Sequence, residues 1–199
     1  MLLLYFVVAG LLLGAVTRGR FAALADVRFR WWALALGGMA FQVLLFGDAL
    51  GSRVGAAGPA LYVLSTAVVL AALLRNVRLA GFPIIALGAS INLAVIVANG
   101  GQMPAEPNAF AALNGLPIIP TALFSNSILA GSHTVLPFLG DVMVLPRPLP
   151  FANVFSIGDV IIGLGAMVFI VRTMHAGRVA PDVAPPLSAG LGQAGVNGP

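Results

Sequence analysis

The sequence contains no cysteine and no lysine, and only 8% of its 199 residues are charged. Without cysteine there is neither a disulfide framework nor a thiolate metal site, so any chemistry falls to carboxylates, histidines, hydroxyls, amides and arginines. The scarcity of charge excludes an ordinary soluble domain, in which roughly a quarter of the residues are charged. With 60% of the residues hydrophobic, the composition is that of a membrane protein. The formal net charge of +4 does not imply nucleic acid. Nucleic-acid binders gather basic residues on a polar surface beside aromatic ones, whereas these arginines lie between apolar segments.

Five apolar runs approach the length needed to cross about 30 Å of hydrocarbon: residues 1–16, 31–50, 59–74, 81–98 and 153–171. The first reads as a retained helix, because it lacks the basic n-region and the small-x-small cleavage site of a secretory signal. Arg18, Arg20, Arg28 and Arg30 occupy the first connection, Arg75 and Arg78 the third, and Arg172 and Arg178 follow the last run. Those connections alternate, which leaves only Arg53 and Arg147 on the other side. By the positive-inside rule the arginine-rich side is cytoplasmic, with the N-terminus outside and the C-terminus inside. Trp31 and Trp32 stand where the second run would enter the interface, the depth that indoles favour. The expected fold class is therefore all-α. It is a polytopic membrane bundle of five transmembrane helices in one lipid-embedded domain, residues 1–175, followed by a disordered cytoplasmic tail, 176–199. Gly10 and Gly14 have the GxxxG spacing that lets helices approach closely in lipid.

Residues 99–152 break the pattern. Pro104, Pro107, Pro117, Pro120, Pro137, Pro146, Pro148 and Pro150 exclude an uninterrupted helix there. Non-helical backbone at membrane depth survives only inside protein or beside a wet cavity. The expectation is a cap or re-entrant element on the outer end of the bundle, with short helices around 109–116 and 121–131.

In a chain with six acidic residues, Asp141 and Asp159 are each embedded in apolar sequence. If Asn153 caps the last helix, the Asp159 carboxylate lies roughly 9 Å inside it. Acids at that depth are costly, and they are functional candidates for that reason. The intervening PRPLP can turn the chain back so that the two carboxyls meet near the outer mouth of the bundle. Two carboxyls in one low-dielectric site share a proton. The base would then activate water while the acid protonates a carbonyl or leaving group. The amides of Asn99 and Asn126 are candidate donors to the oxyanion. Two other readings use the same acids, one for cation binding or proton relay and one only for helix packing. Asn99 before Gly100 and Gly101 also reads as a helix C-terminus, and Asn92 as an interhelical hydrogen bond. His133, with only distant acids for company, makes a poor zinc signature. Neither a metal nor a cofactor is called for.

The stretches NLAVIVANGGQMP, SNSILAGSHTVLPFLGD and NVFSIGDVIIGLG together resemble an uncharacterised family of bacterial multi-pass membrane proteins, domain of unknown function 5317. The end of the chain also resembles signal peptidase II, an intramembrane aspartyl protease of the bacterial inner membrane. That family closes its third helix with one catalytic Asp and opens its fourth with Phe-Asn-x-Ala-Asp. Phe155 and Asp159 match the second pattern, with Ser156 in place of Asn and Gly158 in place of Ala, and Asp141 stands for the first aspartate. Asn99 and Gly101 are similar to its Asn-x-Gly element, a substrate-side position. Its Gly-Asn-x-x-Asp-Arg element is met here only by Asn126. The resemblance implies that Asp141 and Asp159 are catalytic and that the substrate is a membrane-embedded peptide or a lipid-linked molecule.

Overall fold

The computed structural model describes residues 2–47, 53–114 and 126–176. The expected tail, 176–199, lies outside the described residues apart from Ala176.

Each apolar run folds as a helix. They are α1 (Leu2–Val16), α3 (Trp32–Leu45), α4 (Gly58–Leu74), α5 (Phe82–Ala98) and α7 (Ile157–His175), with a one-turn α2 (Ala22–Ala25) and a short α6 (Pro107–Asn114) between them. Pro59 and Pro83 sit in the first turns of α4 and α5, where a missing N–H costs nothing. Two helices are long and apolar enough to cross a membrane, Gly55–Leu74 and Ile157–His175, while α1, α3 and α5 are shorter apolar helices.

The helices pack as a row in which α1 lies against α7, α7 against α5, α5 against α4, and α4 against α3. Small residues set these contacts. A Cβ on Gly10 would meet the Met167 Cα at 3.2 Å, and one on Gly14 would overlap the Met174 side chain. Between α5 and α7 the approach is tighter still, since a Cβ on Gly88 would stand 2.6 Å from the Gly158 carbonyl oxygen. Backbones that close leave no room for side chains, which is why glycine occupies both sides of the seam.

The first and third connections and the end of α7, which carry most of the arginines, share one end of the row. The Arg20 N–H donates to the Met174 carbonyl at 2.7 Å. Buried Asn76 ties the first connection to the third: its Oδ1 accepts from the Arg30 N–H at 2.8 Å and its Nδ2 donates to the Arg30 carbonyl at 2.7 Å. Phe29 packs on Phe82 with ring centroids 5.5 Å apart.

The segment after α5 caps the opposite end, and it is not all helix. Strand β1 (Met103–Ala105) pairs in parallel with β2 (Ser127–Leu129), and β3 (Met143–Leu145) pairs antiparallel with β4 (Asn153–Phe155). These strands correct the all-α expectation. The helix expected around 109–116 is present as α6, but the one expected around 121–131 is not: 121–125 lie outside the described residues and Ser127–Leu129 is a strand. Prolines at both ends of the segment favour extended backbone, and β1 supplies the ladder that fixes it. The cap is anchored by a buried cluster of Leu45, Tyr62, Val95, Ile96 and Met103, drawn from α3, α4, α5 and β1.

Candidate functional site

Asp159 lies in the first turn of α7. The helix starts at Ile157 with Ser156 as its N-cap, which corrects the expected start at Asn153, a residue of β4. Ser156 and Asp159 form a reciprocal capping box. The Asp159 N–H donates to Ser156 Oγ at 3.1 Å, and the Ser156 N–H donates to Asp159 Oδ2 at 3.0 Å. Two of the helix's orphan donors are thereby satisfied. Asn92 reaches across from α5 to complete the cluster: its Nδ2 donates to Asp159 Oδ1 at 3.0 Å, and its Oδ1 accepts from Ser156 Oγ at 3.0 Å. This is the interhelical role expected of Asn92. Gly158 permits it, since a Cβ there would overlap the Asn92 amide oxygen.

Asp141 reaches the same end of α7 through backbone pairing. Its N–H donates to the Pro104 carbonyl at 2.8 Å, and its carbonyl accepts from the Glu106 N–H at 3.0 Å, which locks it to the edge of β1. Two residues later Met143 stands opposite Phe155 in the β3–β4 ladder. Asp141 thus precedes by two residues the strand whose partner, β4, leads into α7. Burial, and then the charge of Asp159, push the Asp141 carboxyl from 3.8 up to about 7. Both causes disfavour the charged form.

Tyr62, buried on α4, is a member of this neighbourhood that the sequence did not single out. Its side chain hydrogen-bonds Asn126 and lies within electrostatic reach of both Asp141 and Asp159. A lone tyrosine in an apolar span was the available signal, because a buried phenol needs a polar partner. Asn126 is thus linked to Tyr62, while its carbonyl accepts from the Met103 N–H at 2.7 Å.

Asn99 and Gly101 serve the junction between α5 and the cap. Asn99 Nδ2 donates to the Val95 carbonyl at 2.8 Å and to the Val135 carbonyl at 2.9 Å, and its Oδ1 accepts from the Val135 N–H at 2.9 Å. Both amide hydrogens are spent, so none is left for an oxyanion. Gly101 has φ +88°, and a Cβ there would meet Pro59 at 2.6 Å. Its N–H closes the end of α5 on the Ile96 carbonyl at 2.8 Å, as expected of a glycine past a helix C-terminus. His133 is exposed, and no group of three or more His, Asp or Glu side chains that could hold a metal converges among the described residues.

Neither a curated protein nor a solved structure matches the chain. A family profile does match it, over residues 26–171, a span that takes in α3, α4, α5, the cap and most of α7 with both aspartates. The chain belongs to the family of unknown function DUF5317.

Proposed function

We propose that the chain is an integral membrane protein whose five apolar helices cross the bilayer, with the cap outward and the arginine-rich end in the cytoplasm. In this reading Asp141 and Asp159 form an acid–base pair that hydrolyses a membrane-embedded peptide or lipid-linked substrate. The membrane half of the proposal is supported by side chains that a soluble fold would bury. Helices α1, α3 and α4 are apolar over nearly all their length, with Gln42 of α3 bonded to Ser65 and Thr66 of α4 where the two meet, yet Leu12 is 61% exposed, Val43 73% and Leu64 61%. A helix apolar almost all round belongs inside a large core or in lipid, and among the described residues no outer layer covers these side chains.

The catalytic half is carried by one observation, that the cap pairing Asp141 to Pro104 and Glu106 brings its partly buried carboxyl within electrostatic reach of Asp159. A carboxyl with its midpoint at about 7 can both hold and release a proton under physiological conditions. Asp159 accepts one hydrogen bond at each oxygen, and a carboxylate offers about four lone-pair sites, so it retains capacity to take a proton from water. The hydroxide then attacks the substrate carbonyl carbon while Asp141 protonates the carbonyl oxygen. Collapse of the tetrahedral diol returns a hydroxyl proton to Asp141 and breaks the bond to the leaving group, which takes its proton from Asp159, so both carboxyls regain their starting states. Donation to the carbonyl oxygen as charge builds on it falls to Asn126 rather than to Asn99, whose donors are occupied. This is the division of labour implied by the likeness to signal peptidase II, carried by two aspartates rather than by that family's whole motif set.

A second reading is favoured by the capping box itself. Asp159 is engaged at both oxygens, as a structural anchor would be, and Asp141 would then bind or relay protons without hydrolysis. The two readings separate in cells. Membrane peptides and lipids are compared between cells carrying the wild type and cells carrying Asp141→Asn at matched protein levels. Hydrolysis predicts that a precursor accumulates with Asp141→Asn. An unchanged membrane peptidome and lipidome would leave the proton-binding reading.

A further inference from the structure

The two connections joined by Asn76 border a half-open concavity, remote from the aspartates, at the arginine-rich end. It has a volume of about 560 Å³ and is lined by Arg28, Arg30, Arg75 and Arg78 with Leu74 and Asn76 among their neighbours. That volume falls within the range of small-ligand sites. Among its described lining residues there is no acid.

The positive-inside rule asks only that arginines lie on one side of the bilayer. It does not require residues from connections more than forty positions apart to surround one cavity. Here they are held there. Both polar atoms of the Asn76 amide grip the Arg30 backbone, at 2.8 and 2.7 Å, and Nδ2 also donates to the Ala72 carbonyl at 2.7 Å. The Phe29 ring packs at a tilt against Phe82 beside them. Four arginines around one concavity with no acid among its described lining residues repel one another, which a bound anion would relieve. Guanidinium pairs off with phosphate oxygens in a bidentate fork. At the rim, Leu74 is 51% and Val77 40% exposed, which offers apolar surface beside the charge.

We propose that this cavity binds a phosphoryl-bearing anion, with the headgroup of an anionic phospholipid as the occupant its apolar rim favours. Basic pockets at the cytoplasmic ends of membrane helices recognise such headgroups. The site is independent of the acid pair and of the hydrolytic reading.

The full chain, purified in a neutral detergent, is titrated in separate arms with short-chain phosphatidylglycerol, short-chain phosphatidylcholine and inorganic phosphate, reading the thermal unfolding midpoint. The expected result is a saturable rise with phosphatidylglycerol and none with phosphatidylcholine. Arg30→Gln/Arg75→Gln should raise the half-saturating concentration about tenfold or more, the loss expected for a charge-assisted contact. Arg78→Gln provides a second, independent variant. Arg53→Gln/Arg147→Gln removes the same charge from the other end and should leave the titration unchanged. A saturable rise with inorganic phosphate alone, lost in the same variants, supports the phosphoryl site and identifies its occupant as soluble. Equal titrations in wild type and Arg30→Gln/Arg75→Gln, or an equal loss in the Arg53→Gln/Arg147→Gln control, overturn the proposal.

Discussion

At the scale of single residues, four polar side chains do most of the defining work in an otherwise apolar molecule. Ser156 is fully buried and serves both the cap of α7 and the Asn92 amide, so Ser156→Ala should lower stability by about 1 to 2 kcal/mol. Thermal unfolding in detergent measures this, and an unchanged midpoint would show that the capping box contributes nothing. Asp141 gives a pH signature of definite sign. Its folded midpoint, about 7, lies above the ordinary 3.8, so between those values the folded chain holds a proton that the unfolded chain has released. Stability therefore falls as pH rises through that window. At about 1.4 kcal/mol per pH unit, the full loss is on the order of 4 kcal/mol. Asp141→Asn should flatten the slope and melt higher than wild type at pH 8, as unfolding midpoints across pH would reveal; a parallel slope in the variant would place the titration elsewhere. Part of this was legible in the sequence. Both acids stood out from their apolar surroundings, and Ser156-x-x-Asp159 is itself a capping signature. Asn153 is an equally good cap residue locally, and only the pairing of β4 with β3, which no local pattern encodes, moves the helix start to Ile157.

Among the elements, the seam between α5 and α7 carries the architecture. Gly88 and Gly158 face each other there, and Gly165 packs against Ile85 and the Gly81 carbonyl. Inserting a side chain must push the helices apart, so Gly88→Val should cost about 1 to 3 kcal/mol or more. Gly37 on α3, with nothing within 4 Å of its would-be Cβ, is the matched control: Gly37→Ala should be neutral or slightly stabilising. Detergent melts of the two variants give the comparison, and equal destabilisation would mean that helix propensity rather than contact governs. The apolar runs announced these helices to within a few residues because length and hydrophobicity are local properties. Gly10 and Gly14 were legible for the same reason. The partner of Gly88 was not, since nothing in either helix states which other helix it meets. The three-residue strands were illegible too, being too short for any alternation to register and stabilised by neighbours distant in the chain.

For the whole molecule, the arrangement has two unlike ends. One gathers arginines around a cavity, and the other folds a stranded cap over the start of α7. The absence of native cysteine makes the orientation simple to probe with single cysteines. Ser132→Cys, exposed in the cap, should react with an impermeant maleimide in intact cells, and Ala80→Cys, exposed at the arginine end, only after permeabilisation. The reverse pattern would invert the proposed topology. The proposed acid pair would be a property of the whole fold, because Asp141 belongs to the cap and Asp159 to the first turn of α7, and they can influence each other only when one is folded onto the other. The most direct test is infrared titration of the protonated carboxyl band in purified, lipid-reconstituted protein. A band lost with a midpoint near 7, absent in Asp141→Asn and shifted to lower pH in Asp159→Asn, is the predicted result. A wild-type midpoint in the ordinary carboxylate range, or one that Asp159→Asn leaves unmoved, would contradict the account.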